Sequence, residues 1–160
     1  MIKFIITCFY IGLAKPAPGT WGSLFAVVLF VPIHLLGGSL LLVILISTIF
    51  FVGVWLISFE ISGKEEHDPG EIVIDELVGQ WISLLPISII SRVYETNLPT
   101  LWPAIIGGFI LFRFFDILKF GPVRWADKQK NSLGVMLDDV FAGVLAAFCL
   151  TIFIGLYYAL

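Results

Sequence analysis

Long apolar runs without charge are the feature that most constrains this chain. Residues 39–59 contain no charged side chain, and neither do residues 140–160. As a helix, a run of this length extends about 30 Å, which is the thickness of the hydrocarbon core of a bilayer. Charged residues make up only 13% of the chain, whereas an average soluble domain contains about 25%. The sequence therefore predicts an integral membrane protein.

Six apolar segments predict an all-α, integral membrane helical bundle with about five to six membrane-embedded helices. No repeat or linker divides the chain, so residues 1–160 are predicted to form a single domain. The first segment lacks a small-residue cleavage site and is interpreted as retained, either as a short pass or in the membrane interface. Gly37 and Gly38 are predicted to turn the chain. The segments are residues 1–13, 21–36, 39–59, 77–91, 101–118 and 140–160.

When the five later segments cross a membrane alternately, the charges collect on one side. The turn at 14–20 and the loops at 60–76 and 113–139 all fall there. Of the twelve acidic residues, only Glu95 falls on the other side. Basic residues concentrate on the acidic side, and the positive-inside tendency makes that side cytoplasmic. These basic residues are Lys15, Lys64, Arg113, Lys119, Arg124, Lys128 and Lys130.

Two pairs of adjacent carboxylates stand at the heads of apolar segments. Asp138 and Asp139 precede the last segment, and Asp75 and Glu76 precede the fourth. Negative charge at a helix N-terminus stabilises the helix by about 0.3–1 kcal/mol, so either pair alone is explained as a helix-end charge. That explanation does not account for carboxylates at several helix ends on one membrane face.

A charged triplet adds to the same face. Arg113, Asp116 and Lys119 follow at intervals of three residues, which places them roughly on one face of a helix end. Surface ion pairing is the simplest interpretation. However, phenylalanines and other apolar residues surround the triplet, so these charges are predicted to pack against protein. Ionisable residues embedded in this way are functional candidates.

The gathered carboxylates predict a site for a hard cation. Carboxylates at this density repel each other unless a cation neutralises them, and oxygen ligands favour Mg²⁺, or Mn²⁺ as a substitute, over zinc. Magnesium also binds phosphate oxygens, and nearby Arg and Lys side chains hold a phosphate. The pattern favours chemistry on a phosphorylated lipid. The five carboxylates are Asp75, Glu76, Asp116, Asp138 and Asp139.

Two turns and two cysteines complete the list of candidates. In the turn AKPAPGTWGS, Thr20 or Ser23 can cap the next helix, whose free N–H groups favour an anion; an ordinary capped turn is the alternative. His67 is interpreted either as part of a solvated loop or as a metal ligand or proton-transfer group. Cys8 and Cys149 lie in apolar runs and are interpreted as buried hydrophobic residues.

Four stretches carry a family resemblance. They are PGTWGS (18–23), HDPGEIVIDELVGQW (67–81), FRFFDILKFGPVRWAD (112–127) and GVMLDDVFAGV (134–144). In this order and spacing they resemble the phosphatidylglycerophosphatase A family of bacterial membrane lipid phosphatases. The resemblance implies Mg²⁺-dependent hydrolysis of phosphatidylglycerophosphate to phosphatidylglycerol at the bacterial cytoplasmic membrane.

Under this interpretation, some of the five carboxylates hold one or two Mg²⁺ ions and take part in catalysis. Direct attack by water is preferred, and an aspartyl-phosphate intermediate stays open. The candidates for binding the substrate phosphate are Arg113, Lys119 and Arg124, followed by Thr20 and Lys15.

Two other classes of function remain as alternatives. A small transporter or channel would use the carboxylates as a cation path and predicts charges near the middle of the membrane. A non-catalytic scaffold would leave the carboxylates unexplained. The sequence has no basic tract and no RNA-binding motif, so no nucleic-acid partner is expected. It does not indicate an oligomeric state.

Overall fold

The computed structural model describes residues 1–63 and 69–159, and within those ranges the chain is helical with no strand. The predicted all-α class is therefore confirmed. Two 3₁₀ helices, Ile11–Leu13 and Leu98–Leu101, occur in the connections. The α-helices are α1 (Ile2–Ile6), α2 (Pro18–Ile61), α3 (Ile74–Val93), α4 (Trp102–Leu118), α5 (Pro122–Asp127) and α6 (Ser132–Ala159).

The 44-residue helix α2 reverses direction at Gly38. Gly38 has φ 61° and ψ −151°, a combination that is essentially restricted to glycine. Gly22 and Gly53 both pack against the beginning of α3, whereas Gly38 packs against Arg92 near its end. The two parts of α2 are therefore antiparallel, as the glycine pair predicted. They are residues 18–37 (α2a) and 39–61 (α2b).

Five helical segments run antiparallel through the bundle, and we call each of them a pass of the bundle. Three helices of the described chain are long and apolar enough to cross a membrane, namely α2, α3 and residues 132–156 of α6. Because α2 turns back at Gly38, it supplies two passes. Helix α4 has 17 residues, or about 26 Å at roughly 1.5 Å per residue, and supplies another. The first apolar segment forms no pass, because α1 has only five residues.

Helix α3 lies at the centre of the bundle. In the most apolar 18-residue stretch of each helix, 67% of the α3 stretch is buried inside the bundle, compared with 22% for α2 and 33% for α6. Its polar side chains Gln80 and Ser83 are fully buried. Gln80 Nε2 donates to Ser83 Oγ over 2.8 Å, and Ser83 Oγ lies 3.3 Å from the carbonyl oxygen of Gly108 on α4. These contacts give Gln80 Nε2 and Ser83 Oγ the internal partners that polar groups need away from water, whereas Gln80 Oε1 is buried without a hydrogen-bond partner among the described residues.

The outer helices expose a continuous apolar surface. Phe51 on α2 is 70% exposed and Phe148 on α6 is 65% exposed, and α4 exposes Ile106 and Ile110 in the same way. A soluble monomer rarely exposes apolar surface on this scale. The structure therefore agrees with a helical membrane protein whose outer surface contacts lipid.

Helices α3 and α6 meet at two glycines. A Cβ added to Gly79 would lie 2.6 Å from the carbonyl oxygen of Asp139, and a Cβ added to Gly143 would overlap the carbonyl oxygen of Gly79. Small residues allow helix backbones to approach this closely in membranes. The contact brings Asp139, which lies about two turns after the start of α6 and not at the helix end as predicted, next to the carboxylates at the beginning of α3.

Residues 2–13 form a compact N-terminal hook beside the beginning of α3. The hook consists of α1, a turn and the first 3₁₀ helix. In the turn, Cys8, Phe9 and Tyr10 have φ values of 46°, 61° and 68°. Three successive non-glycine residues in the left-handed region are unusual. The hook contacts the chain just before α3, where the backbone N–H of Val73 donates to the carbonyl oxygen of Ile6 over 3.0 Å.

Candidate active site

Asp75 and Glu76 lie in the first turn of α3. This turn forms at the end of a buried apolar stretch, so both carboxylates enter the bundle rather than solvent. Asp75 is 6% exposed, and its Oδ1 accepts the backbone N–H of Glu76 over 3.1 Å. Glu76 Oε2 is buried and has no hydrogen-bond partner among the described residues. An unpaired buried carboxylate oxygen is costly unless another group binds it.

Asp139 of α6 completes a group of three carboxylates. Oxygen atoms of Asp75, Glu76 and Asp139 all lie within 4.8 Å of one another. Asp139 is 3% exposed, and Asp116 at the end of α4 is close enough to interact with its carboxyl group electrostatically. The structure therefore brings together four of the five predicted carboxylates, and we call these four the carboxylate cluster.

Arg113 connects the carboxylate cluster to α2a. Its Nη1 atom lies 2.7 Å from Asp116 Oδ2, and the same nitrogen donates to Ser23 Oγ over 3.3 Å. The side chains of Arg113 and Asp116 are only 16% and 15% exposed. Arg113 Nε is buried without a partner among the described residues. The guanidinium therefore keeps donor capacity in the site, which suits a bidentate acceptor such as phosphate.

Gly19 closes one side of the site. A Cβ at Gly19 would overlap Glu76 Oε1 and would lie 3.1 Å from Arg113 Nη1. Ser23 Oγ donates to the Gly19 carbonyl oxygen over 2.8 Å. The prediction that Thr20 or Ser23 caps the next helix is wrong, because α2 begins at Pro18 with Ala17 as its N-cap and no side-chain cap. Thr20 is half-buried beside the glycine. The contacts with Glu76 and Arg113 involve Gly19 and Ser23, and their only sequence signal is the PGTWGS motif itself.

Lys119 forms a second charged group next to the carboxylate cluster. It ends α4 in a left-handed conformation, and its Nζ binds Asp127 and, over 3.1 Å, Asp138 Oδ2. Burial lowers the pKa of Lys119, but the hydrogen bond to Asp127 and the charge of Asp138 raise it more, so its pKa lies above the ordinary value. Lys119 is therefore cationic at physiological pH. The sequence prediction did not include Asp127.

The structure separates Asp138 from Asp139. Successive residues of a helix point about 100° apart, so Asp139 reaches the carboxylate cluster while Asp138 reaches Lys119. Among the other predicted residues, Arg124 is exposed on α5, and Lys15 is exposed before α2. His67 and Lys64 lie outside the described residues.

Chemically, the site combines hard oxygen donors with fixed cations at one end of the bundle. The carboxylate cluster can hold a divalent cation. Arg113 and Lys119 can hold a phosphate group. A phosphomonoester at the surface of a membrane is a ligand that could bind both the divalent cation and these two basic side chains.

Comparison with known proteins supplies a family. The family model of phosphatidylglycerophosphatase A matches residues 4–154. A phosphatidylglycerophosphatase A of Haemophilus influenzae is 40% identical over 146 residues, covering 91% of this chain and 83% of the relative. One of Escherichia coli is 35% identical over 151 residues, covering 93% and 80%. A putative phosphatidylinositol-3-phosphatase of Bacteroides thetaiotaomicron is 37% identical over 145 residues, covering 86% and 84%. No solved structure matches the chain.

Proposed function

Because the chain belongs to the phosphatidylglycerophosphatase A family, we propose that it hydrolyses the terminal phosphomonoester of phosphatidylglycerophosphate. The products are phosphatidylglycerol and inorganic phosphate. The observation that carries this proposal is the buried group Asp75, Glu76 and Asp139, with carboxylate oxygens within 4.8 Å of one another. Arg113 is paired with Asp116, and Lys119 is paired with Asp138, the residue next to Asp139. These two cations would supply the positive charge that a phosphate dianion requires.

The donor set fits Mg²⁺. Every candidate ligand is a carboxylate oxygen, which is the donor that Mg²⁺ prefers. Glu76 Oε2, buried without a partner among the described residues, is an atom that a bound cation would satisfy. Asp75, Glu76 and Asp139 would hold the ion, and Asp116 would adjoin it. When bound, the ion would activate water and neutralise negative charge on the phosphate.

The side chains around this group have separable tasks. Arg113 would bind phosphate oxygens, and Asp116 would orient it through their 2.7 Å ion pair. Lys119 would bind the phosphate from the other side, held in place by Asp127 and Asp138. In the reaction, the oxygen of water bonds to phosphorus as the ester P–O bond breaks, and the glycerol oxygen takes up a proton. We prefer water to an aspartate as the nucleophile.

The position of the site supports an enzyme over a cation channel. The charges lie in the first turn of α3 and at the end of α4, not in the middle of the bundle. We infer that this end faces the cytoplasm of a bacterial inner membrane, because Arg124, Lys128 and Lys130 are exposed there. A lipid in the cytoplasmic leaflet would then present its headgroup directly to the site.

Phosphate release from defined lipids tests this function. Purified protein in detergent should release phosphate from phosphatidylglycerophosphate with Mg²⁺, lose activity with EDTA, and recover when Mg²⁺ is restored. Phosphatidylinositol 3-phosphate serves as the competing substrate, because one relative is named a putative phosphatidylinositol-3-phosphatase. Full turnover after complete chelation would contradict the metal site. A higher kcat/KM for the inositol lipid would contradict the proposed substrate but not the phosphatase chemistry.

The role of Lys119 gives a second prediction. Lys119→Ala should lower kcat/KM by about 10²-fold, because removing one preorganised donor to a reacting oxyanion typically costs about 10²–10³-fold. Lys128→Ala is the matched control, because Lys128 is exposed at the end of α5. The kcat/KM of this variant should stay within about twofold of the wild-type value. Equal losses at both positions would indicate general attraction to anionic lipid.

A further inference from the structure

We propose that the N-terminal hook, residues 2–13, positions the Asp75–Glu76 pair by holding Val73. This inference rests on the proposed metal site, since it concerns how two of its ligands are oriented. Val73 immediately precedes α3 and is fully buried. The hook itself contributes no pass of the bundle and no side chain to the carboxylate cluster.

The hook binds both backbone polar groups of Val73. The Val73 N–H donates to the Ile6 carbonyl oxygen over 3.0 Å, and the Cys8 thiol donates to the Val73 carbonyl oxygen over 3.7 Å. The same carbonyl oxygen accepts the N–H of Leu77 over 3.2 Å, in the first turn of α3. Asp75 lies within this turn. The hook therefore fixes the residue from which the helix carrying the carboxylates starts.

Close packing reinforces these hydrogen bonds. A Cβ on Gly12 would overlap the Glu71 carbonyl oxygen and would lie 3.1 Å from Val73 Cγ1. Lys3 Nζ also lies 2.8 Å from Glu71 Oε1, but both side chains are substantially exposed, and such surface pairs contribute little. The hook is therefore held mainly by backbone hydrogen bonds and by the fit of Gly12.

The conformation of the hook is disfavoured on its own and depends on local bonds. Cys8, Phe9 and Tyr10 are all left-handed, which non-glycine residues avoid. Thr7 stabilises this turn, because its buried Oγ1 donates to the Lys3 carbonyl oxygen over 2.7 Å and accepts the Tyr10 N–H over 3.1 Å. Unfavourable backbone conformations persist where the surroundings determine them and cluster at functional sites.

Docking of the hook and binding of a cation should therefore be coupled. If the docked hook sets the direction of Asp75 and Glu76, a cation that binds those carboxylates must in turn stabilise docking, since coupling between sites is reciprocal. Cys8 reports docking directly. It is 4% exposed, and burial, with a contribution from the charge of Asp75, raises its pKa to about 12. A docked hook thus keeps the thiol unreactive towards maleimides.

Gly12→Ala tests the coupling, with Gly70→Ala as its matched control. The added methyl group would displace the hook at Gly12, whereas at Gly70, in the same region, it meets no atom of the described residues within 4 Å. Two quantities are measured on the purified full chain: the rate of Cys8 modification by N-ethylmaleimide, located by peptide mass spectrometry, and the affinity for Mn²⁺ by electron paramagnetic resonance. Coupling between sites is typically about 5–150-fold.

We expect Mn²⁺ to slow Cys8 modification in the wild type by about tenfold. Gly12→Ala should accelerate the modification and weaken Mn²⁺ binding, each by about tenfold, while kcat at saturating metal changes little. Gly70→Ala should match the wild type in every measurement. Thr7→Val should reproduce Gly12→Ala, and Thr7→Ser, which keeps the hydroxyl group, should restore wild-type behaviour. The Thr7 variants decide the question if Gly12→Ala does not fold.

Two results would overturn the inference, and they separate it from the proposed function. If the wild type binds Mn²⁺ and the hook variants expose Cys8 but keep wild-type affinity, the hook does not position the carboxylates while the metal site stands. If the wild type hydrolyses the lipid but binds no Mn²⁺, the metal site fails and the inference fails with it.

Discussion

Asp139→Asn is expected to lower kcat/KM by about 10³-fold or more. A metal ion supplies several kcal/mol of transition-state stabilisation, and about 4 kcal/mol corresponds to roughly 10³-fold in rate. Asp139 is 3% exposed and shares its site with Asp75 and Glu76. Asparagine keeps the size of the side chain but removes the charge that a cation needs. The measurement is phosphate release against Mg²⁺ concentration, with thermal melts in detergent as the check on folding.

Asp138→Asn, at the position next to Asp139, is the control for the Asp139→Asn experiment. Asp138 binds Lys119, so its loss should disturb the lysine and leave Mg²⁺ affinity near the wild-type value. An activity loss of about 10–100-fold is expected, as for groups that orient residues in a site. The structure already rules out a role of the two aspartates as helix-end charges, because α6 begins at Ser132 and has no acidic residue in its first turn. If Asp139→Asn turns over like the wild type, Asp139 does not bind a cation that the reaction needs. Equal shifts in Mg²⁺ dependence for both variants would contradict the division of roles.

Gly143→Ala is expected to cause the second largest loss, about 10²-fold in activity together with a lower melting temperature. The added Cβ overlaps the Gly79 carbonyl oxygen of α3, and a backbone atom in a helix cannot move aside as a flexible side chain can. Helix α6 must shift and carry Asp139, one turn away, with it. A misplacement of about 1 Å can cost roughly 10²-fold in rate, and overpacking typically costs about 1–3 kcal/mol of stability. Activity and melting in detergent measure the two effects.

Gly155→Ala controls for the general effect of alanine on α6. A Cβ at Gly155 meets no atom of the described part of the chain within 4 Å, so activity and melting temperature should equal those of the wild type. A Gly143→Ala protein that is as stable and active as Gly155→Ala would mean that α3 and α6 separate without disturbing the carboxylates. Asp139 would then be held by something other than the glycine contact.

The sequence predicted carboxylates that lie close together, but it did not predict which partner each carboxylate contacts. Asp75, Glu76, Asp116 and Asp139 stand at ends of apolar segments, and alternate crossing of a membrane places those ends on one side. The partner of each side chain depends on the rotation of its helix about its axis. For α6 that rotation is set by the contact between Gly79 and Gly143, which no periodicity in an almost uniformly apolar helix reveals.

The N-terminal segment shows a second limit of the sequence. An apolar stretch at 1–13 is compatible with a short pass or with the membrane interface, and hydropathy does not distinguish these from a hook. The hook depends on the left-handed residues Cys8 to Tyr10, which have no glycine signature. It also depends on Gly12, whose need for glycine arises only from the approach of Glu71. The need for glycine at position 12 is therefore a tertiary effect that local sequence does not encode.

The reversal at Gly38 also bears on how the chain enters a membrane. A turn made at one residue leaves no polar loop between α2a and α2b, so the two passes can insert together as a hairpin. Within the part of the chain that the structure describes, the other connection between helices at this end of the bundle is the short stretch 94–101, which joins α3 to α4. Carrying charged residues through hydrocarbon is costly. With the carboxylate cluster on the cytoplasmic side, as proposed above, residues 94–101 would be the largest connection between the described helices that has to be translocated during biosynthesis.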